Sequence, residues 1–204
     1  MVRAAHLFMI RPALDNVPPP LLPENFSFRS CRAGDEAAWL DIIRRSCGGD
    51  WPDDAFQRHM LSEESFCPER LFFVVTEGGR PVATAGALQK LLHGGRTGYL
   101  HMMAVLPEFR RRGLGTALLR RCLIYFREQG WRDAVLDTEV SRPEAIRLYL
   151  AGGFVPAPEI EEDVANWRAI LMALGRDDLA ERQWVRCGGM DTRLTTGRKP
   201  PLRS

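Results

Sequence analysis

Lysine is almost absent from this chain. Lys90 and Lys199 are the only two among 28 basic residues in 204, so arginine carries nearly all the positive charge. Against 26 acids the net charge is +2, which gives no electrostatic case for bulk nucleic-acid binding. Nor does a basic stripe interleave the five tryptophans, as a base-stacking platform would need. No stretch approaches the roughly 18 apolar residues of a membrane span. His6–Ile10 is apolar, but Arg11-Pro12 cuts it short of a signal-peptide core. The five cysteines, Cys31, Cys47, Cys67, Cys122 and Cys187, are odd in number and contain no C-x-x-C pair. That speaks against a disulfide framework or zinc knuckle and for reduced thiols in the cytoplasm. His6, His59, His93 and His101 are scattered without paired-ligand spacing, so no metal is predicted. A G-x-S-x-G elbow and internal repeats are also missing.

What is present is ordinary for a globular protein: 45% hydrophobic and 26% charged residues. The length suits one domain with appendages. Residues 1–24, with Pro18-Pro19-Pro20 and Pro23, read as an extended arm. From Asn25, Phe26–Arg29 alternates as a strand does. Asp35 is a candidate N-cap for a helix from Glu36 to about Ser46, closed by Gly48-Gly49, and a second helix is predicted over Asp53–Leu61. Leu71–Thr76 and Pro81–Lys90 read as a hairpin about Glu77–Arg80, and His93–Arg96 as the next turn. Strand Tyr99–Leu106, helix Gly113–Gln129, strand Ala134–Thr138, helix Arg142–Ala151 and a strand from Phe154 follow. Cys122 lies on the apolar face of its helix and is assigned to the core. Strands alternating with helices after an antiparallel start predict an α/β fold with a mixed sheet. Boundaries fall at residues 25–158 for the domain and 159–191 for a helical extension, with Val164–Leu174 and Asp177–Trp184 as its helices. Residues 192–204 read as a basic tail and are expected to be disordered.

The most informative stretch is Gly98–Leu119. A strand breaks at Pro107, Arg110, Arg111 and Arg112 follow, and Gly113-Leu114-Gly115 leads into a helix. The first amides of a helix lack partners and sit at the positive end of its dipole, so this is a ready anion site. It is not a P-loop, because no lysine follows Gly115. It is not the dinucleotide fingerprint either, because Leu118 stands where a third glycine is needed.

Arg110-x-x-Gly113-x-Gly115 after that strand resembles the coenzyme A loop of the GNAT N-acetyltransferase superfamily. Arg142–Phe154 is similar to its second signature through Ala145, Leu148, Tyr149, Gly153 and Phe154, with Arg142 where asparagine is usual. The resemblance covers about Phe26–Pro158. It implies the GNAT fold, a mixed and mostly antiparallel sheet flanked by helices, and direct transfer of an acetyl group from acetyl-CoA to a primary amine. It implies that pantetheine lies along Met103, Ala104 and Val105, and that the backbone of Arg111–Thr116, including Leu114 and Thr116, holds the diphosphate. It implies that Arg142 is a coenzyme contact and that Tyr149 is the acid toward the departing thiolate.

An attacking ammonium must lose a proton. His101 is the first candidate base, as an imidazole two residues before Met103 and so on one strand face with it. Glu139 is the second and Asp137 the third. Tyr99-Leu100-His101 also looks like part of the strand motif of arylalkylamine acetyltransferases. The acceptor pocket is expected from Trp39–Phe56 and the segment after Phe154. The expected partner is a small-molecule amine, with no nucleic acid or membrane, and a homodimer is compatible with the fold. A protein N-terminus or lysine as acceptor, and a non-catalytic coenzyme A-binding module, stay open. Glu159–Asp163 is the one acid cluster suited to a peptide, or a cap for the helix after it.

Overall fold

Seven strands build one sheet in a computed structural model that describes residues 6–90, 96–158 and 160–181. They are β1 (His6–Arg11), β2 (Phe26–Ser30), β3 (Leu71–Thr76), β4 (Pro81–Lys90), β5 (Thr97–Val105), β6 (Asp133–Glu139) and β7 (Val155–Pro156). The helices are α1 (Glu36–Cys47), α2 (Leu114–Glu128), α3 (Pro143–Ala151), α4 (Glu161–Ala173) and the single turn α5 (Asp177–Ala180). The strand order is β2-β3-β4-β5-β6-β1-β7. Every pairing is antiparallel except β5 with β6. The α/β architecture with a mixed, mostly antiparallel sheet is as the sequence implies.

The sheet is clothed on both faces. On one, α2 packs its apolar stripe over β4 and β5. There a Cβ on Gly98 would lie 2.5 Å from Cδ2 of Phe126, so glycine is what lets the helix approach. On the other face lies the segment after α1, where Met60 Cε is 3.3 Å from the position a Cβ on Gly86 would take. Trp39, Ile42 and Ile43 of α1 are fully buried, as is Cys122 of α2; burial pushes the Cys122 thiol up to about 12, so it stays protonated and apolar in character.

Two expectations are altered here. The predicted N-terminal arm is in part a core strand: β1 pairs with β6 from His6↔Glu139 to Arg11↔Ala134 and with β7 on its other side. Leu7 and Met9 are fully buried, and Leu14 and Val17 beyond the strand are buried too. Five apolar-rich residues suffice for a strand flanked on both sides, where a ladder of backbone bonds replaces length. Arg11 fastens the strand's end: Nη1 donates to the Gly152 carbonyl and Nε to that of Ala13. This explains the glycine pair. Gly153 has φ +85° and a Cβ there would sit 2.5 Å from Arg11 Nη1.

The second change is one of winding, because the helix expected over Asp53–Leu61 is present from Ala55 on. Residues Gln57–Leu61 wind as a π-helix, with the Ser62 N–H reaching the Gln57 carbonyl at 3.1 Å. Asp35 stands at the N-cap position of α1, yet its side chain caps nothing. It instead accepts two bonds from Arg29, at 2.6 and 2.8 Å, and one from the Arg32 N–H. The C-terminal prediction of a helix over Val164–Leu174 matches α4, where Asp163 accepts from the Ile160 N–H and Trp167 is fully buried. The turn at His93–Gly95, Cys187, residues 182–184 of the second extension helix and the 192–204 tail lie outside the described residues.

Gly98→Ala is expected to destabilise the fold by about 1–3 kcal/mol, because the new methyl must displace Phe126 within a packed face. Urea unfolding should show a lower midpoint with an unchanged slope; an unchanged midpoint would mean that α2 yields freely.

Candidate functional site

The site begins as a failure of pairing. β5 and β6 run together over Thr97↔Asp133, Gly98↔Ala134 and Tyr99↔Val135, and then part. β6 is held on its far side by β1 along its length, so β6 cannot follow β5. β5 stays with β4 but carries one extra residue: Gly86 lies opposite His101 and Thr84 opposite Ala104. The bulge centres on Met102, whose φ is +49°, a costly left-handed conformation for a side chain of that size. Beyond Tyr99 the β5 edge toward β6 faces a cleft of about 2630 Å³.

The bulge corrects one expectation. Residues directly opposite in a ladder share a face, and so do Gly86 and Thr84. His101 therefore points with Ala104, and Met103 points away from both. The simple alternation that put His101 beside Met103 does not survive the extra residue.

At one end of the cleft is the arginine loop. Arg111 and Gly113 have φ of +58° and +80°, which turns successive N–H groups toward a common point. Among the described residues, no amide from 111 to 116 has a backbone acceptor. Six unpartnered N–H groups at the start of α2 suit a diphosphate. The side chains divide unequally. Arg110 donates to the carbonyls of Val105 (3.2 Å) and Ser46 (2.9 Å), bracing the loop against the end of α1. Arg112 donates to the Glu108 carbonyl and lies over Phe109. Arg111 is exposed and has no side-chain partner among the described residues. Gly115 matters through packing, since a Cβ there would be 3.3 Å from Leu148 Cδ2.

Met103, Ala104 and Val105 line the cleft, but the Val105 carbonyl is already taken by Ser46 Oγ (3.0 Å) and Arg110. Across the gap the Thr138 hydroxyl is shielded from solvent without a hydrogen-bond partner. A buried hydroxyl left unpaired is costly, and this one sits in the cleft wall. Sequence reading missed it, because a threonine inside a strand looks like ordinary β propensity.

Tyr149 reaches the middle of the cleft from α3. It is 6% exposed, and its hydroxyl has no hydrogen-bond partner among the described residues. Burial, opposed by the nearby Arg142, pushes its pKa up to about 12. Arg142 caps α3 and donates through Nη2 to Cys47 Sγ at 3.3 Å. Glu139 turns to Ser141 Oγ at 3.0 Å.

Tyr99, His101 and Asp137 meet beyond. Tyr99 donates to Asp137 Oδ1 at 2.5 Å, and its ring lies 5.0 Å from that of His101. His101 Nε2 lies 2.9 Å from the carbonyl of His59 in the π-helix. A carbonyl only accepts, so Nε2 carries the proton and Nδ1 is the acceptor. Burial lowers the His101 pKa, against Glu63, the His59 carbonyl and Asp137, which raise it; the ring is neutral at neutral pH. The wall here is Trp51, Arg58, His59, Glu63 and Lys90. The Glu63–Lys90 ion pair (3.1 Å) places Lys90 over the Tyr99 ring. Of the segments expected to form the acceptor pocket, Cys47–Trp51 lines the cleft, whereas Trp39 is buried in the core and no described residue after Phe154 reaches it. Residues 58–65 take that place, which a π-helix hidden in an unremarkable helical pattern kept from view.

Comparison with known proteins agrees with this geometry. The sequence model of the acetyltransferase (GNAT) family matches residues 37–154. A mycothiol acetyltransferase from Thermobispora bispora is 31% identical over 164 residues, covering 76% of this chain and 55% of that protein. N-alpha-acetyltransferase 30 from Xenopus laevis is 38% identical over 91 residues, 45% of this chain and 30% of that protein. The chain thus spans about half, or less, of the length of these curated relatives. Among solved structures, a GCN5-related N-acetyltransferase from Sphaerobacter thermophilus superposes with a TM-score of 0.62 at 26% identity, over 76% of this chain and 49% of that one. None of the described helices is long and apolar enough to cross a membrane.

The lowered pKa of His101 has a measurable consequence. The unfolded chain takes up the proton first, so stability should fall as pH drops below the ordinary imidazole value of 6.5, by up to about 1.4 kcal/mol per pH unit for each such group. His59 is lowered in the same direction by burial. Thermal melts across a pH series should show a shallower acid slope for His101→Gln; an identical slope would mean that His101 is solvated.

Proposed function

Because the chain belongs to the acetyltransferase (GNAT) family, we propose that it transfers the acetyl group of acetyl-CoA directly to a primary amine of a small molecule. The observation that carries this reading is continuity. One cleft joins the unpartnered amides of Arg111 and residues 113–116, the free β5 edge and the buried Tyr149. The amides and Arg111 hold the diphosphate. The edge of β5 and the Thr138 hydroxyl meet the amide-bearing arm, much as an added strand would.

In the reaction the amine nitrogen forms a bond to the acyl carbon, the carbon–sulfur bond breaks, and the second proton lost by that nitrogen neutralises the departing thiolate. The ammonium proton goes first to Nδ1 of His101, which is neutral and has its other nitrogen committed to His59. Asp137, already bonded by Tyr99, is the alternative acceptor, and Glu139 stands further along the same wall. Tyr149 donates a hydrogen bond to the departing sulfur. With its pKa near 12 against about 8.5 for a thiol, full proton transfer would be uphill by roughly 5 kcal/mol. Its contribution is therefore a bond that strengthens as charge develops.

A peptide N-terminus as acceptor is the second reading, favoured by the similarity to N-alpha-acetyltransferase 30. A non-catalytic module is disfavoured by the buried, unpartnered Tyr149. Cytoplasmic location and the amine's identity belong to this proposal as well.

Calorimetry should give micromolar binding of acetyl-CoA, weakened at least about tenfold in Gly113→Val, where a β-branched residue cannot hold the positive φ. Tyr149→Phe should keep that affinity and lower thiol release about 10- to 100-fold. Absence of acetyl-CoA binding by the wild type would overturn the reading, and unchanged turnover in Tyr149→Phe would remove that residue's role. Thiol release with free amines but not with peptides separates the two acceptor classes.

A further inference from the structure

The arginines of the cleft are not equally occupied. Arg58 pairs with Asp54 at 2.6 Å, Arg70 donates to the Ser65 carbonyl at 2.7 Å, and Arg110 donates to two carbonyls. Arg111 and Arg142 have no oxygen acceptor among the described residues. Arg111 is exposed at the loop, where the diphosphate claims it. Arg142 is half-buried, and the partner of its guanidinium is the sulfur of Cys47. Cysteine sulfur is a weak acceptor. Five N–H donors taken partly out of water for one such bond are under-used. Glu139 is near enough to be felt electrostatically, but its carboxylate is turned to Ser141.

The location narrows what Arg142 awaits. It rises from the start of α3 and meets the last residue of α1, bridging the two walls of the cleft beside Tyr149. That is the reacting end. The diphosphate already has the loop amides and a helix dipole of its own, so it needs nothing from here. A planar guanidinium with a free edge is matched by a carboxylate, which can take two parallel bonds from it.

We propose that Arg142 binds a carboxylate carried by one of the two substrates, so that the protein acts on an acceptor of amino-acid type, or takes a dicarboxylic acyl group. This rests on the acetyltransfer reading and makes its substrate class specific. The guanidinium holds the carboxylate of an amino-acid-like acceptor while the amine faces the acyl carbon. If the carboxylate is the acyl group's own, the same contact holds its far end. In either case Cys47 gives up Arg142 at little cost, because the bond it loses is weak.

The test uses matched compounds on the full chain. Thiol release from acetyl-CoA is measured with free amino acids and with their neutral carboxamides. Release from succinyl-CoA is measured with amines that lack a carboxylate. Wild type, Arg142→Lys and Arg142→Gln are compared, with acetyl-CoA affinity measured by calorimetry for each. We expect the acids to exceed their amides in kcat/KM by about 10- to 100-fold, the ratio hydrogen bonds to a charged group support. That ratio should collapse in Arg142→Gln and return in part in Arg142→Lys, with acetyl-CoA affinity unchanged. A preference for succinyl-CoA that collapses in the same variant places the carboxylate on the donor instead. Equal use of acids and amides, with no succinyl preference, overturns the proposal. So does bound acetyl-CoA with no turnover of any member of the panel. Loss of acetyl-CoA affinity in Arg142→Gln also overturns it, by making Arg142 the coenzyme contact the family resemblance implies. Failure of the wild type to bind acetyl-CoA is a different result, which removes the acetyltransfer reading itself.

Discussion

Everything at the site depends on the parting of β5 and β6. Two strands of one sheet pair over three residues and then separate, and the separation is held open from both sides. β1 binds the outer edge of β6, while β5 is kept on β4 by a register that absorbs an extra residue at Met102. An unpaired strand edge is normally a liability. Here it is enclosed by α1, α2 and α3, so the free backbone groups face a ligand-sized cleft and are withheld from other chains. The left-handed Met102 is the local strain that the surrounding sheet over-determines.

The polar groups along this cleft follow a gradient from wet to dry. The loop of residues 110–113 is exposed and built from backbone amides, which suits a highly charged group that retains some water. Toward Tyr149 and His101 burial grows, and both side chains respond by favouring their neutral forms. A neutral imidazole and a protonated phenol are the states in which one accepts a proton and the other donates a bond. Desolvation sets both states, and the neighbouring charges contribute less. The arrangement is therefore a property of the packing around the cleft rather than of any one ion pair.

β1 gives the N-terminus a role in that packing. It places Phe8 in the small cluster with Leu88, Tyr99 and Val135 beneath the reacting end, and its register sets Phe8 opposite Asp137. Arg11 then ties the strand to the turn after α3. A segment remote in sequence thus fixes the wall that carries Asp137 and Glu139 as well as the helix that carries Tyr149.

The sequence by itself determined the parts governed by local rules. Phe26–Ser30, the hairpin of β3 and β4, α2 and α3 follow from hydrophobic period and from glycine and proline punctuation. The anion loop follows from an arginine run ahead of Gly113-Leu114-Gly115, since unpartnered helix amides are a local consequence of starting a helix. Tyr149 was visible only through a motif. Tertiary structure decided what depends on residues far apart: the capture of His6–Arg11 by β6 and β7, which no local period announces, and the bulge at Met102. It also decided the face on which His101 lies and the π-turn that brings the His59 carbonyl to its ring. It decided, too, which arginines are spent on carbonyls and which have no oxygen acceptor among the described residues. The reason is physical. Helix ends and turns are set by neighbours within four residues, whereas strand register, burial and the satisfaction of a guanidinium are settled by whatever the folded chain brings alongside.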